Sequence, residues 1–142
     1  TYIDEDGQKK TPVMLHRALF GSLERFTGIL LEHYAGQLPL WLSPLQAMIT
    51  TITSDSNNYA YQVCDALNSA GIRAKTDIRN EKIGYKIREH SNAKVPIIIA
   101  VGKKESEEKT VSIRRLGSQE TKVIKLDDII ATLQNESSIP NT

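Results

Sequence analysis

The sequence predicts an α/β domain: a mixed, mainly parallel sheet of about five strands flanked by helices, preceded by a β-hairpin and a helix. Residues 95–101 form an uninterrupted apolar run closed by Gly102, which is typical of a parallel strand covered on both faces. A short extended run ends earlier, at Asp77, and a basic segment with helical spacing lies between the two. This alternation of strand and helix indicates a sheet whose strand ends face a ligand.

Composition narrows the class of protein. The chain has 142 residues, of which 39% are hydrophobic and 25% are charged, as in an ordinary globular domain with an appendage. No apolar run is long enough to span a membrane and no signal peptide is visible, so neither a membrane partner nor secretion is expected. A single cysteine, Cys64, excludes an internal disulfide and predicts a reducing, cytoplasmic location. The missing initiator methionine predicts a piece of a longer protein.

The charge is distributed unevenly. Residues 72–115 hold 12 Lys and Arg against 6 Asp and Glu, a local charge of +6, whereas the remainder carries −5. The cations and amide around the predicted central helix are Arg79, Asn80, Lys82, Lys86 and Arg88. Such a group suits a polyanion, with Lys82, Lys86 and Arg88 holding phosphates. Glu81 and Glu89 nearby leave open an ordinary solvated, salt-bridged helix face.

The first part of the chain predicts a hairpin followed by a helix. Residues 2–3 and 11–15 are extended runs, and Asp6-Gly7 between them is a turn signal. Four apolar residues then recur at helical spacing, and Gly36 provides a stop; they are Leu19, Leu23, Phe26 and Leu30. Residues 1–36 are therefore predicted to belong to a first domain, of which they form only a part, and residues 37–44, which contain Pro39 and Pro44, are predicted to form a linker.

The second predicted domain covers residues 45–137, and a disordered tail is predicted over 138–142. Its expected order is strand 46–52, helix 57–70, strand to Asp77, the basic helix, strand 95–101, an acidic loop over 105–108, strand 110–115 and a last helix. Cys64 falls on the apolar side of the first of these helices and is predicted to be a core residue.

Some strings in the sequence are specific enough to indicate a family. PVMLHRALFGSLERF resembles motif 3 of class II aminoacyl-tRNA synthetases, and most closely that of the threonyl family, which implies that residues 1–36 are the C-terminal end of a class II catalytic domain. The resemblance implies that Arg25 is a catalytic residue and binds ATP together with Ser22, and that His16 is one of three ligands of a zinc ion that selects threonine. Taken alone, Arg25 also fits a solvated helix cation and His16 a surface histidine. Because the family's other two zinc ligands are absent, no firmly bound cofactor is expected in this chain.

From Trp41 onward the chain is similar to the class IIa anticodon-binding domain of the same family. WLSPLQ, NSAGIRAKTDIRNEKIGYKIREH, VPIIIAVGKKE and VSIRRLG carry the similarity. It implies anticodon contacts by Asn80, Lys82, Arg88, Lys104, Glu105 and Arg114. Arg114 could bond two acceptors on a guanine edge, and Glu105 could accept from guanine's N–H groups. Glu105 within KKESEEK fits a solvated turn equally well, and Tyr85 could either stack on a base or pack.

The resemblance also implies properties of a whole protein. Members of the family attach threonine to tRNA(Thr) with ATP/Mg²⁺ and Zn²⁺, usually as homodimers, and do not act on DNA; this chain alone is expected to be inactive. One alternative is a non-catalytic RNA-binding accessory subunit with the same fold. Another is a generic nucleotide-binding domain, which the absence of GxGxxG or GxxxxGK[ST] after the first strand disfavours.

Overall fold

The computed structural model describes residues 1–18 and 20–140, so that Leu19 and the last two residues of the predicted tail lie outside it. The chain divides into two compact units, Thr1–His33 and Tyr34–Thr142. The domain limits predicted at residues 36 and 45 stay a prediction. Among the described residues, no helix is both long and apolar enough to cross a membrane.

The first unit begins with the predicted hairpin, although its second strand comes earlier than predicted. β1 (Tyr2–Ile3) pairs antiparallel with β2 (Lys9–Lys10). The backbone N–H of Asp4 donates to the Gln8 carbonyl at 2.9 Å and closes the turn. Because this turn is short, Tyr2 already pairs with Lys10. The run 11–15 has no strand beside it within the described part of the chain, and its prediction as a strand was wrong.

Helix α1 (Leu23–His33) follows. The Ser22 hydroxyl accepts a hydrogen bond from the Arg25 backbone N–H at 3.1 Å, which satisfies one of the free N–H groups of the first turn. This cap explains why the helix begins after Ser22 rather than nearer His16. No described residue of α1 is buried, and Leu23 and Ile29 remain mostly exposed.

The second unit is built on a five-stranded sheet. Its strands are β3 (Ala47–Thr51), β4 (Ala74–Asp77), β5 (Ile97–Val101), β6 (Thr110–Arg115) and β7 (Thr121–Lys125), in the spatial order β4-β3-β5-β6-β7. β3 pairs in parallel with both β4 and β5, whereas β6 pairs antiparallel with β5 and β7. Since two reversals restore the direction, every strand except β6 points the same way. The predicted mixed, mainly parallel sheet is confirmed.

Helices cover the two faces of the sheet unequally. They are α2 (Asn57–Ser69), α3 (Ile83–Asn92), α4 (Lys103–Glu108) and α5 (Leu126–Ser137). The buried apolar cluster joins Ile49, Ile99 and Val111 of the sheet to residues of α2 and α5 such as Leu67 and Leu133. Cys64 belongs to this cluster, as predicted. Met48 and Ile98 are buried but do not belong to this cluster, because they alternate with its members along β3 and β5. They therefore lie on the opposite face of the sheet, where α3 contacts both strands.

Two elements of this unit differ from the sequence prediction. The segment predicted as an acidic loop is helix α4, because Glu105 caps it: its Oε2 accepts a hydrogen bond from Gly102 N at 3.0 Å. β7 was not among the predicted strands. It is an edge strand in which Val123 is 61% exposed, so no apolar run indicates it.

Residues 37–44 lie within the second unit and are held against its sheet by polar contacts. Gln46 is buried, and its Nε2 donates to the Leu40 carbonyl at 2.8 Å. The Arg73 guanidinium donates to the carbonyls of Trp41 at 3.0 Å and Ser43 at 2.7 Å. The Gln46 amide and the Arg73 guanidinium therefore satisfy carbonyls that belong to no sheet, and this segment packs rather than moving freely.

We expect Arg73→Ala to release this segment. Hydrogen bonds to a charged group contribute about 1.5–3 kcal/mol where they are desolvated, and because Arg73 is partly exposed we expect a loss of about 1 kcal/mol in urea unfolding. Hydrogen exchange at Leu42 and Ser43, whose N–H groups bond the Pro39 carbonyl, should accelerate. Arg73→Lys keeps the charge but not the forked donors, so an intermediate effect is expected. Unchanged exchange in Arg73→Ala would contradict this account.

Candidate nucleic-acid interface

Within the described part of the second unit, no helix covers part of the α3-facing side of the sheet. Val111 and Ile113 of β6 point into the core, so Ser112 and Arg114 point to the opposite face. Their partners on β7 are Val123 and Thr121, both exposed. We call Ser112, Arg114, Thr121 and Val123 the open strip. α4 reaches its edge beside Ser112 and α3 borders it beside Arg114, so the strip is the floor of a shallow groove.

Arg114 is the main cation of the open strip. Its Nε donates to the Ser118 carbonyl at 2.9 Å, and in the described part of the chain its side chain makes no other hydrogen bond. Arg114 and Ser91 of α3 line one cleft of about 170 Å³, together with residues of the β6–β7 turn. The guanidinium is therefore oriented by one nitrogen while its two Nη groups remain available. Two such donors match a pair of acceptors on one base edge.

Glu105 lies at the other end of the same strip. Its Oε1 accepts from the Ser112 hydroxyl at 2.8 Å, and its Oε2 caps α4. Burial raises the pKa of this carboxyl, but the hydrogen bonds from Ser112 and the backbone more than offset it and lower the pKa overall. Glu105 is thus an ionised acceptor fixed in place, and each oxygen keeps a lone pair for a further donor. Lys104, beside it on α4, is exposed.

Three more of the predicted contact residues lie on the β4–α3 side. Asn80 and Lys82 are exposed in the loop that joins β4 to α3. α3 begins after Lys82 without a side-chain cap among the described residues, so its first N–H groups point toward this loop. Arg88 is exposed on α3 and lines a small cleft with Tyr85 and Asn92. Tyr85 is 56% exposed, so its ring face is accessible.

Lys86 is not where the sequence prediction placed it. Only 1% of its surface is exposed, and its ammonium donates to the Thr51 carbonyl at 3.0 Å and the Asp77 carbonyl at 3.1 Å. Thr51 Oγ1, at 3.4 Å, completes the set of three acceptors. Burial lowers the pKa of Lys86, while the charge of Asp77 acts to raise it. The prediction that Lys86 holds a phosphate was wrong, because all three of its donors are already used inside the domain.

Asp77, which the sequence prediction did not assign to the site, organises the side chains around Lys86. Its Oδ2 lies 2.7 Å from Arg79 Nη2 and 2.7 Å from His90 Nε2, and its Oδ1 accepts from Arg79 Nε at 2.9 Å. Hydrogen bonding to Arg79, partly opposed by burial, holds the pKa of Asp77 well below its usual range. Arg79 also pairs with Glu89 of α3 at 3.1 Å. The only hint in the sequence is an aspartate at a strand end with an arginine two residues later.

The residues assigned to ATP and zinc lie in the first unit. Arg25 is exposed on α1, and the Ser22 hydroxyl caps that helix and donates to Glu24 Oε2 at 2.8 Å. His16 is exposed, and among the described residues no three His, Cys, Asp or Glu side chains are grouped to hold a metal. A catalytic zinc needs three protein ligands, so the residues of this chain do not by themselves fit the ion.

Comparison with known proteins shows which family the chain resembles. Residues 46–136 match the family described as "Anticodon binding domain". Over 99% of its length the chain is 60% identical to a threonine–tRNA ligase of Parvibaculum lavamentivorans and 59% identical to one of Rhodopseudomonas palustris. It covers only 22% and 21% of these proteins, so it spans about a fifth of their length.

Solved structures show the same fold. The RNA binding domain of threonyl-tRNA synthetase from Cryptosporidium parvum Iowa II matches with a TM-score of 0.79 and 32% identity, over 85% of this chain and 30% of that one. A prolyl-tRNA synthetase of Cryptosporidium parvum, 23% identical with a TM-score of 0.60 over 69% of this chain and 23% of that one, shares the fold alone. Since the family match covers more than half of the sequence, the chain belongs to the anticodon binding domain family.

Proposed function

We propose that this chain is part of a threonine–tRNA ligase, and that its second unit binds the anticodon loop of tRNA(Thr). The observation that carries the proposal is the open strip, where the Arg114 guanidinium has two available Nη groups and the ionised carboxylate of Glu105 lies at the edge, bonded to Ser112. A single-stranded loop exposes base edges that need such a donor and acceptor set. Relatives named threonine–tRNA ligase, 53–60% identical over nearly the whole chain, support it.

Within this proposal the predicted contact residues form two groups, one that contacts bases and one that contacts the backbone. Arg114 and Glu105 read base edges, because each is held by contacts within the domain and neither side chain has to be ordered when RNA binds. Asn80, Lys82, Arg88 and Lys104 are exposed and contact the phosphate backbone or its flanking groups, which makes affinity fall with salt. A carboxylate among cations fits base reading, since phosphates would only repel it.

The rest of the activity belongs to the whole ligase. It would activate threonine with ATP and Mg²⁺, select it with zinc, and act in the cytoplasm as a homodimer. In that protein Arg25 and Ser22 would lie beside ATP, and His16 would supply one zinc ligand. None of these groups is needed for the second unit to bind RNA.

The proposal is tested by measuring how tightly the chain binds a tRNA(Thr) anticodon stem-loop and a stem-loop whose central guanine is replaced. We expect a preference for the native loop that Arg114→Ala reduces by about 10-fold, since a bidentate contact to guanine contributes about 1–3 kcal/mol of discrimination. Arg115→Ala is the matched control. Arg115 is the next residue on β6, and both of its Nη groups bond the Glu136 carboxylate at 2.7 Å.

Because Arg114→Ala and Arg115→Ala remove the same charge, a purely electrostatic surface would weaken equally in both. Equal binding of the two loops by the wild-type protein, with affinity lost at higher salt, would overturn base reading by Arg114 and Glu105. A preference that survives Arg114→Ala would move the base-reading site elsewhere on the domain.

A further inference from the structure

The loop that carries Asn80 and Lys82 is held in place by two buried charged residues, Asp77 and Lys86. Its preceding strand, β4, ends at Asp77, and its following helix, α3, begins at Ile83. Lys86 lies one turn into α3, and its ammonium bonds the carbonyls of the last residues of β3 and β4. It thus joins three elements at the edge of the sheet from which the loop leaves.

The side chain of Asp77 holds the next part of the loop. Its Oδ1 accepts from the Arg79 backbone N–H at 3.2 Å as well as from the guanidinium, which folds residues 77–79 into a tight turn. Arg79 and Asp77 are in turn bonded to Glu89 and His90 on α3. Only residues 80–82 remain between this turn and the first residue of the helix, and the Glu81 N–H bonds the Arg79 carbonyl at 2.9 Å.

We propose that Lys86 is a positioning residue for RNA recognition: it does not touch RNA, but it fixes the 80–82 loop in the conformation that presents Asn80 and Lys82. This inference rests on the proposed function, because it assigns the loop to the RNA interface. A loop that is ordered before binding loses less conformational entropy when RNA binds. Lys86 therefore contributes to the affinity without contacting the RNA.

A different result is expected if Lys86 affects RNA binding only through its charge. An ammonium that is 1% exposed and bonded to three oxygen acceptors cannot contact a phosphate directly, whereas an exposed lysine can. Removing it would then matter only through general stability. The two accounts differ in whether Lys86 and Lys82 act together or independently, and a double-mutant cycle measures that difference.

The experiment compares wild type, Lys82→Ala, Lys86→Met and the double variant for binding to the tRNA(Thr) anticodon stem-loop, at a temperature where circular dichroism shows each variant folded. We expect Lys82→Ala to weaken binding about 5-fold in wild type but less than about 1.5-fold once Lys86 is Met. Lys122→Met is the matched control. Its side chain is exposed, and it pairs with Ile113, so it lies on the α5-facing side of the sheet.

Hydrogen exchange gives a readout that general destabilisation would not produce. In Lys86→Met we expect faster exchange at Arg79 and Glu81, with unchanged exchange in β5. Faster exchange everywhere, or a Lys82→Ala effect as large as in wild type, would overturn the positioning role. If the wild-type protein shows no preference for the native loop, the proposed function fails first and this inference fails with it. A preference that persists with independent Lys82 and Lys86 effects would refute the inference alone.

Glu89→Ala covers the case in which Lys86→Met does not fold. Glu89 is half-exposed, and among the described residues its side chain pairs with Arg79 alone, so Glu89→Ala removes that pair. Loss of a carboxylate next to an RNA site should strengthen binding if charge alone decides the affinity. The positioning role predicts the opposite sign, a weakening of about 2-fold, because Arg79 is then less firmly held. Stronger binding by Glu89→Ala would overturn the inference.

Discussion

Asp77→Ala is expected to lower the free energy of unfolding by about 3–5 kcal/mol, because it leaves buried His90 without its hydrogen-bond partner and the buried Lys86 ammonium without a nearby negative charge. The Asp77 residue is 6% exposed, and its carboxylate is bonded to Arg79 and lies within hydrogen-bond distance of His90. Urea unfolding at neutral pH measures the change. Asp65→Ala is the control, since Asp65 is an exposed aspartate on α2, where a change below about 0.5 kcal/mol is expected.

The same variant makes a prediction about pH. Hydrogen bonding to Arg79 holds the pKa of folded Asp77 well below the ordinary value of 3.8. A carboxyl with a depressed folded pKa contributes stability that is fully present above its unfolded pKa and is lost as the pH falls through the folded pKa. The difference in stability between wild type and Asp77→Ala should therefore be greatest near neutral pH and shrink below about pH 4. A difference that grew on acidification would contradict this assignment.

Ile99→Ala is the second substitution from which a large effect is expected. Ile99 is 0% exposed at the middle of β5, the central strand of the sheet, and belongs to the apolar cluster that α2 and α5 cover. Because strands on both sides limit collapse of the cavity, we expect a loss of about 3–4 kcal/mol in urea unfolding. Ile99→Val should cost about 1 kcal/mol.

Val123→Ala removes apolar atoms from the exposed edge strand and serves as the control for Ile99→Ala, with an expected change below about 0.5 kcal/mol. Where Ile99→Ala remains folded, its preference for the native stem-loop should equal that of wild type, because the open strip lies on the other face of β6. Comparable losses in Ile99→Ala and Val123→Ala would mean that the core is not centred on β5.

The parts of the fold that the sequence predicts well are those whose apolar residues recur at a fixed spacing. Val63, Cys64 and Leu67 predict both the existence of α2 and its buried side. The apolar run that ends at Val101 predicts β5 and its central place in the sheet. In each case the buried residues recur in a regular pattern along the sequence, so the pattern of apolar residues is enough to predict the element.

Elements defined by polar contacts were harder to predict. Glu105, Glu107 and Glu108 resemble a solvated loop unless one knows that Glu105 reaches back to the N–H of Gly102. β7 has an exposed valine and sits at the sheet edge, where alternation is weak. Residue composition alone does not predict helix α4, because the start of this helix depends on one hydrogen bond to the side chain of Glu105.

Lys86 shows the same limit within the candidate site. Its neighbours in sequence suggest a basic face, but its acceptors come from Thr51 and Asp77, 35 and 9 residues away. Only the fold reveals that the helix turns this lysine inward while Lys82 and Arg88 stay exposed. For Arg114 the opposite holds, because strand alternation alone separates it from Arg115. Its availability follows from its place on the face of β6 opposite α5, where no described helix of the second unit covers the open strip.

The order of strands also determines how far apart the two groups of predicted RNA contacts lie across the sheet. β4 and β6 are separated by β3 and β5, and adjacent strands are about 4.8 Å apart, so Asp77 and Arg114 lie about 14 Å apart across the sheet. Successive stacked bases of one strand are about 3.4 Å apart. We therefore expect the loop after β4 and the guanidinium on β6 to contact different nucleotides. A mononucleotide should compete poorly with the stem-loop, and full affinity should require an oligonucleotide several residues long.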